Sequence, residues 1–261
     1  MLEILDFIGR GSINTARGVV RFLCFLDDIL VAAVYDRRRG NRIVNRVFVL
    51  QVYFTGVQAL PMLTVLAASI GIATTIALLV MLPKIGASEY IGMVAVSVMI
   101  RELAPIVTAV MVIVRSGTAM AAELSSMCIE EEISTMRAME INPIRIFVLP
   151  RLFGSIVSVV WLTAYFAVIV ILSGYAASSL LLDFPTESYL RDVVAAIQPI
   201  DIITSLSKAA LFGTIVPLLA CYYGLSAQYS STQIPQMTTK ATVSSLVWCF
   251  VAGFVIALLT Y

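Results

Sequence analysis

The stretch MIRELAPIV, residues 99–107, places an arginine and a glutamate inside a run of apolar residues long enough to cross a bilayer. A charged side chain at the centre of a membrane helix costs about 2.5–3.5 kcal/mol on insertion scales, so such residues normally face a partner, a substrate or a water-filled cavity. Pro105 follows within one turn and predicts a kink in the same helix. The stretch therefore predicts a membrane-spanning helix with a polar site at the depth of the bilayer.

The composition of the whole chain agrees with a membrane protein. Hydrophobic residues make up 60% of the 261 residues and charged residues 13%, against about 45–50% and about 25% in soluble domains. The formal net charge of +1 gives no general attraction to nucleic acid. Histidine, the commonest metal ligand, is absent, and the four cysteines are scattered without a C-x-x-C pair. We therefore expect no metal site, no cofactor and no nucleic-acid partner.

Five apolar stretches approach the length of about 20 residues that a transmembrane helix needs. A sixth candidate, residues 19–35, carries Arg21, Asp27 and Asp28, which favours an amphipathic helix in the membrane interface over a further span. We predict an all-α integral membrane protein, with an N-terminal interfacial or elbow region at 1–57 followed by a membrane domain at 58–261. The predicted spans are residues 60–82, 91–114, 148–182, 202–225 and 238–261.

The distribution of positive charge predicts the orientation of these spans. Residues 1–57 hold eight arginines and the loop at 115–151 holds four more, whereas the opposite side holds only Lys84 and Arg191. Cytoplasmic loops carry the excess of lysine and arginine. The N-terminus and the 115–151 loop are therefore predicted to face the cytoplasm, and the C-terminus to face the other side.

The charged residues at membrane depth are the candidate binding site. Arg101 and Glu102 are neighbours and point about 100° apart on a helix, so they are not expected to pair with each other. Lys208 is a second cation inside a span. One interpretation is that Arg101 and Lys208 hold the phosphate of a lipid between them. The alternative is that the three charges neutralise one another across helices and only hold the bundle together.

A ridge of small residues on the first span is a weaker signal. Ala67, Gly71 and Thr75 are spaced four residues apart, which allows another helix to approach closely. The ridge is predicted to form either a contact between subunits or part of a cavity wall.

The loop at 115–147 is predicted to contain a helix that docks a soluble partner. Ile129, Ile133 and Met136 form an apolar stripe at helical spacing, and Glu130, Glu131 and Glu132 cover the remaining surface. A helix lying flat on the membrane is the alternative, but three glutamates would face a negatively charged leaflet.

The chain also lacks the motifs with which it would drive transport itself. No G-x-x-x-x-G-K phosphate-binding loop is present, and a serine triad is excluded without histidine. We therefore expect a non-enzymatic permease that is driven by a separate ATPase.

Residues 101–153, RELAPIVTAVMVIVRSGTAMAAELSSMCIEEEISTMRAMEINPIRIFVLPRLF, resemble the signature block of the MlaE permease family. Members are membrane subunits of ABC transporters that move phospholipid for MCE-protein systems in the bacterial inner membrane. The resemblance implies a homodimer around a lipid cavity, two ATPase subunits that bind ATP and magnesium, a periplasmic ring of MCE-domain proteins and, in many relatives, a small accessory cytoplasmic subunit. It places Arg101, Glu102 and Lys208 by the cavity, and it assigns to ATPase coupling Glu123, Met127, Glu130, Glu131, Glu132, Ile133 and Met136. From the kink and from the ridge of small residues, we also expect Pro105 and Gly71 at the cavity.

Three other functions remain open from the residues. A permease of the same fold could carry a sterol or a fatty acid in place of a phospholipid. An ion-coupled secondary carrier would use Glu102 as its proton site. A scaffold without a transport pathway would need none of the three charges.

Overall fold

The computed structural model describes residues 20–33, 41–86, 90–181, 186–227 and 230–260. Residues 1–19 of the predicted elbow region and the arginines at 37–39, which contribute to the predicted orientation, lie outside the described residues. All regular elements within the described ranges are helices. The predicted all-α fold is confirmed.

The described residues form nine helices, together with short 3-10 turns at Val57–Ala59 and Pro83–Ile85. Five helical stretches are long and apolar enough to cross a membrane, as predicted, and the first of these combines most of α2 with α3. The helices are α1 (20–33), α2 (Asn41–Thr55), α3 (Leu60–Met81), α4 (Ile91–Ile129), α5 (Glu132–Ala138), α6 (Ile144–Leu181), α7 (Thr186–Ala196), α8 (Pro199–Gly224) and α9 (Gln233–Thr260).

Helix α1 is described over residues 20–33, and one of its faces packs against the bundle. Phe25, Ile29 and Ala32 form a buried stripe that packs on Leu124 of α4 and Val148 of α6. Helix α1 is therefore held against the bundle where α4 and α6 approach the 130–143 turn region. The interfacial interpretation of residues 19–35 stays a prediction.

Helix α4 extends well beyond the predicted span, which ended at residue 114. It runs for 39 residues, to Ile129, which corresponds to about 58 Å. The extension continues as a helix because its Thr118–Ile129 part packs against α8 and α9. Apolar length alone could not show this, since the extension carries polar residues that count against a membrane span.

The predicted helix through Ile129, Ile133 and Met136 is wrong, because the chain turns between the first two of these residues. Helix α4 ends at Ile129, Glu131 has a positive φ of 59°, and α5 begins at Glu132. A single residue in the left-handed region changes the direction of the chain and ends helical periodicity. A second such residue, Glu140 with a φ of 60°, leads the chain back towards α6.

The ridge of small residues on α3 is used for packing inside the chain. Leu63, Ala67, Gly71, Thr75 and Leu79 are all buried and lie four residues apart. A Cβ atom added at Gly71 would collide with the Ser173 hydroxyl and would lie 2.7 Å from the Val170 carbonyl oxygen, both on α6. Gly71 therefore serves contact between α3 and α6, and it does not join the charged residues assigned to the cavity.

Candidate functional site

The charged cluster is built on a widened turn of α4. Residues Val96–Leu103 are π-helical, and an α-helical segment that contains Pro105 follows directly. Because proline has no N–H group, Pro105 cannot bond the carbonyl of Arg101 four residues earlier. That carbonyl oxygen lies 3.5 Å from Lys208 Nζ on α8. Pro105 therefore contributes to the site by releasing a backbone acceptor towards the buried lysine.

Lys208 and Glu102 form an ion pair between α8 and α4. The Lys208 ammonium donates to Glu102 Oε1 at 2.6 Å. The Lys208 side chain is fully buried, whereas 30% of the Glu102 side chain is accessible. Removal of one partner from a buried ion pair is strongly destabilising, because the other charge is left uncompensated. In this pair Lys208 is therefore inaccessible, whereas Glu102 is partly accessible.

Arg101 points to the end of the bundle where α8 begins and α9 ends. Its Nη1 lies 3.6 Å from Asp201 Oδ1, and its Nη2 donates to the carbonyl oxygen of Thr260 at 3.0 Å. Asp201 also accepts a hydrogen bond from the backbone N–H of Gln198, as the acidic member of the capping box that starts α8. Arg101 therefore connects three helices at a single point.

Asp201 was missed as a site residue at the sequence level. The segment Gln198-Pro-Ile-Asp201 has the spacing of a helix start, so the sequence could have placed Asp201 in the first turn of α8. Nothing in that local pattern shows that a cation on α4 reaches the same carboxylate. The contact depends on how the two helices are rotated against each other.

The structure brings Arg101, Glu102 and Lys208 together but pairs both cations with carboxylates. Arg101 and Glu102 take different partners, as predicted from their angular separation. The arrangement matches the neutralisation alternative for these side chains more closely than two cations that converge on one phosphate. A groove of about 220 Å³ borders the cluster between α6 and α8, and its lining includes Ile100, Ile202 and Ser205.

The residues assigned to coupling fall into two groups. Ile133 is buried and Met136 is half-buried, so they hold α5 against the rest of the chain. Met127 packs against the apolar cluster that contains the buried face of α1. Glu130, Glu131 and Glu132 are all exposed at the turn between α4 and α5; we call these three residues the acidic corner. A partner can contact the acidic corner without displacing the chain.

Glu123 has a role inside the chain that the sequence did not reveal. Its Oε1 lies 2.8 Å from Nη2 of Arg151 on α6; the Arg151 side chain is 5% exposed and that of Glu123 is 59% exposed. The ion pair joins α4, which leads into the acidic corner, to α6, which begins after α5. Glu123 therefore contacts another helix of the same chain and is not only a surface carboxylate.

Comparisons with known proteins extend over almost the whole chain. The family described as Permease MlaE matches residues 48–259. A probable ABC transporter permease protein of Rickettsia felis is 27% identical over 98% of this chain and 97% of its own length. A second, from Synechocystis, is 28% identical over 89% of this chain and 88% of its own length. Protein TRIGALACTOSYLDIACYLGLYCEROL 1 of Arabidopsis thaliana is 30% identical over 78% of this chain and 58% of its own length.

The family match covers most of the chain, and the structure has the five membrane-spanning helices that the sequence predicts. The charged residues of the signature block also contact other helices of the bundle. The chain belongs to the MlaE permease family, and its relatives are permease subunits of ABC transporters.

Proposed function

We propose that this chain is the membrane subunit of an ABC transporter that moves phospholipids between the inner and outer membranes of a bacterium and so maintains lipid asymmetry. The observation that carries the proposal is the accessible Glu102 carboxylate, which is paired with the sealed Lys208 at membrane depth. A permease of small apolar molecules would not need charged groups there, whereas an amphiphile with a polar headgroup would use them. The Arabidopsis relative also bears the name of a lipid, a galactosylated diacylglycerol.

The proposed complex contains two copies of this chain. Helix α9 is apolar and mostly exposed on the surface of the chain, since only 17% of its most apolar 18-residue segment is buried. Trp248, Phe254 and Leu258 are among its exposed residues. A second copy packed on this face would enclose a cavity between the two chains. A ring of MCE-domain proteins on the periplasmic side, and in some systems an accessory cytoplasmic subunit, complete the proposed assembly.

The proposed contact with the ATPase is the acidic corner. Glu130, Glu131 and Glu132 project from the turn between α4 and α5, and the Glu123–Arg151 ion pair joins α4 to α6 nearby. A turn with concentrated negative charge suits a basic groove on a partner. Movement of the ATPase would then pass through the corner into α4 and α6, and from α4 to Glu102.

Reversing the charge of the acidic corner is expected to weaken binding of the ATPase and so abolish transport. With lysine at 130, 131 and 132, the amount of co-purified ATPase should fall at least tenfold, and lipid transport should be lost with it, because attraction at each contact becomes repulsion. The measurements are the ratio of ATPase to permease after purification and lipid transfer between labelled vesicles. Asp192→Lys, an exposed site on α7, is the matched control and should change neither. Full co-purification and full transport by the triple variant would disprove this docking site.

Identification of the bound lipid tests the function itself. Mass spectrometry of the detergent-purified complex should find phospholipid together with an ATPase and MCE subunits. A bound sterol or fatty acid in its place would establish the alternative substrate for the same fold. Transport by the purified chain alone, driven by an ion gradient, would establish a secondary carrier instead.

A further inference from the structure

The four charged side chains at membrane depth differ in how accessible they are, and this difference determines which of them a ligand can contact. Lys208 is 0% exposed, the Arg101 and Asp201 side chains are each 10% exposed, and the Glu102 side chain is 30% exposed. A molecule that approaches the cluster therefore meets the Glu102 carboxylate before either cation. A carboxylate accepts hydrogen bonds and attracts positive charge, and it donates nothing when ionised.

A phosphate group is poorly suited to this approach. It would be repelled by Glu102, and it could reach Lys208 only by displacing Glu102 from a 2.6 Å contact at a fully buried ammonium. Arg101 is already engaged by Asp201 and by the Thr260 carbonyl. A donor that carries positive charge, in contrast, can add a further hydrogen bond to the carboxylate while the bond to Lys208 remains in place.

We propose that Glu102 recognises the headgroup of the transported lipid by accepting a hydrogen bond from its primary ammonium group, so that the site favours aminophospholipids. The proposal rests on the proposed function and adds to it the chemistry of the preferred substrate. Lys208 is then a positioning residue, which holds the carboxylate towards the ligand from behind. Arg101 and Asp201 hold α4, α8 and α9 in register around it.

The first experiment measures headgroup preference directly. The purified complex with its ATPase is equilibrated with an equimolar mixture of phosphatidylethanolamine (ethanolamine lipid), phosphatidylcholine (choline lipid) and phosphatidylglycerol (glycerol lipid) that share the same acyl chains. The bound lipids are then quantified by mass spectrometry. A charge-assisted hydrogen bond corresponds to a preference of about tenfold for ethanolamine over glycerol lipid. The choline lipid keeps the positive charge but has no N–H group, so it should bind less than the ethanolamine lipid. Equal binding of all three lipids, or a preference for glycerol lipid, overturns the proposal.

The second experiment assigns the preference to Glu102. Glu102→Gln alone leaves Lys208 buried without its counter-charge and destabilises the protein, so the main variant is Glu102→Gln combined with Lys208→Met, which removes both charges. The ratio of ethanolamine to glycerol lipid should fall to about one in the double variant, and Glu102→Asp should retain part of the preference. Asp192→Asn, an exposed carboxylate on α7, is the control and should keep the wild-type ratio.

The outcomes separate this inference from the function beneath it. If the double variant keeps the wild-type preference, Glu102 does not recognise the headgroup, and the proposed function in lipid transport is unaffected. If the wild-type complex binds no phospholipid and moves none, the proposed function itself fails.

Discussion

Replacing Glu102 with alanine is expected to destabilise the protein by about 3 kcal/mol, the lower end of the range for breaking a buried ion pair. The variant leaves Lys208, which is fully buried, with no carboxylate beside it. The Arg101 carbonyl oxygen, at 3.5 Å from Lys208 Nζ, is then too distant for a strong hydrogen bond. Desolvation of an unpaired ammonium is the origin of the loss.

The opposite replacement, Lys208→Met, is expected to cost only about 1 kcal/mol, because the Glu102 carboxylate is partly accessible and can be hydrated. Methionine also fills most of the space of the lysine stem. Combining Lys208→Met with Glu102→Ala should recover most of the stability that Glu102→Ala loses alone. Unfolding of the purified variants in detergent, followed by loss of helical signal against temperature and denaturant, measures all three. If Lys208→Met is as damaging as Glu102→Ala, the difference in burial between the two partners does not control their energetics.

Replacing Gly71 with valine is expected to destabilise the protein by about 2 kcal/mol, within the range for overpacking a close contact. A Cβ atom at this position would lie 2.7 Å from the Val170 carbonyl oxygen and 3.1 Å from the Val170 Cα. Both are backbone atoms, so α3 and α6 would have to move apart. The separation would also weaken the neighbouring contacts of Ala67 and Thr75 in the same ridge.

Ala73→Val is the matched control for this prediction. Ala73 lies on the same helix but is exposed, so the added methyl groups face outward and should change stability by less than about 0.5 kcal/mol. The same unfolding measurement compares the two variants. Equal stability of Gly71→Val and Ala73→Val would show that α3 and α6 do not meet closely at Gly71.

The sequence predicted the properties that depend on neighbouring residues. Apolar length predicted five spans, because each helix must satisfy its own backbone hydrogen bonds and cover the hydrocarbon core. Pro105 was visible in the sequence as a residue that lacks an N–H group, and the carbonyl of Arg101, four residues earlier, lies 3.5 Å from Lys208 Nζ in the structure. The stripe at 129, 133 and 136 failed because one left-handed residue, Glu131, interrupts a pattern that spacing alone shows as continuous.

The sequence by itself determined that this protein is a helical membrane permease of a known family, since hydrophobic length, charge distribution and the signature block are properties of the linear chain. Only the tertiary structure decided which carboxylate serves which cation. Glu102 and Lys208 are 106 residues apart, and their contact depends on the rotation of α4, which its π-helical turn changes relative to a regular helix. The same rotation brings Arg101 to Asp201 and Thr260 and leaves Glu102 as the accessible charge. Side-chain burial results from packing between helices, and no local pattern along the chain contains it.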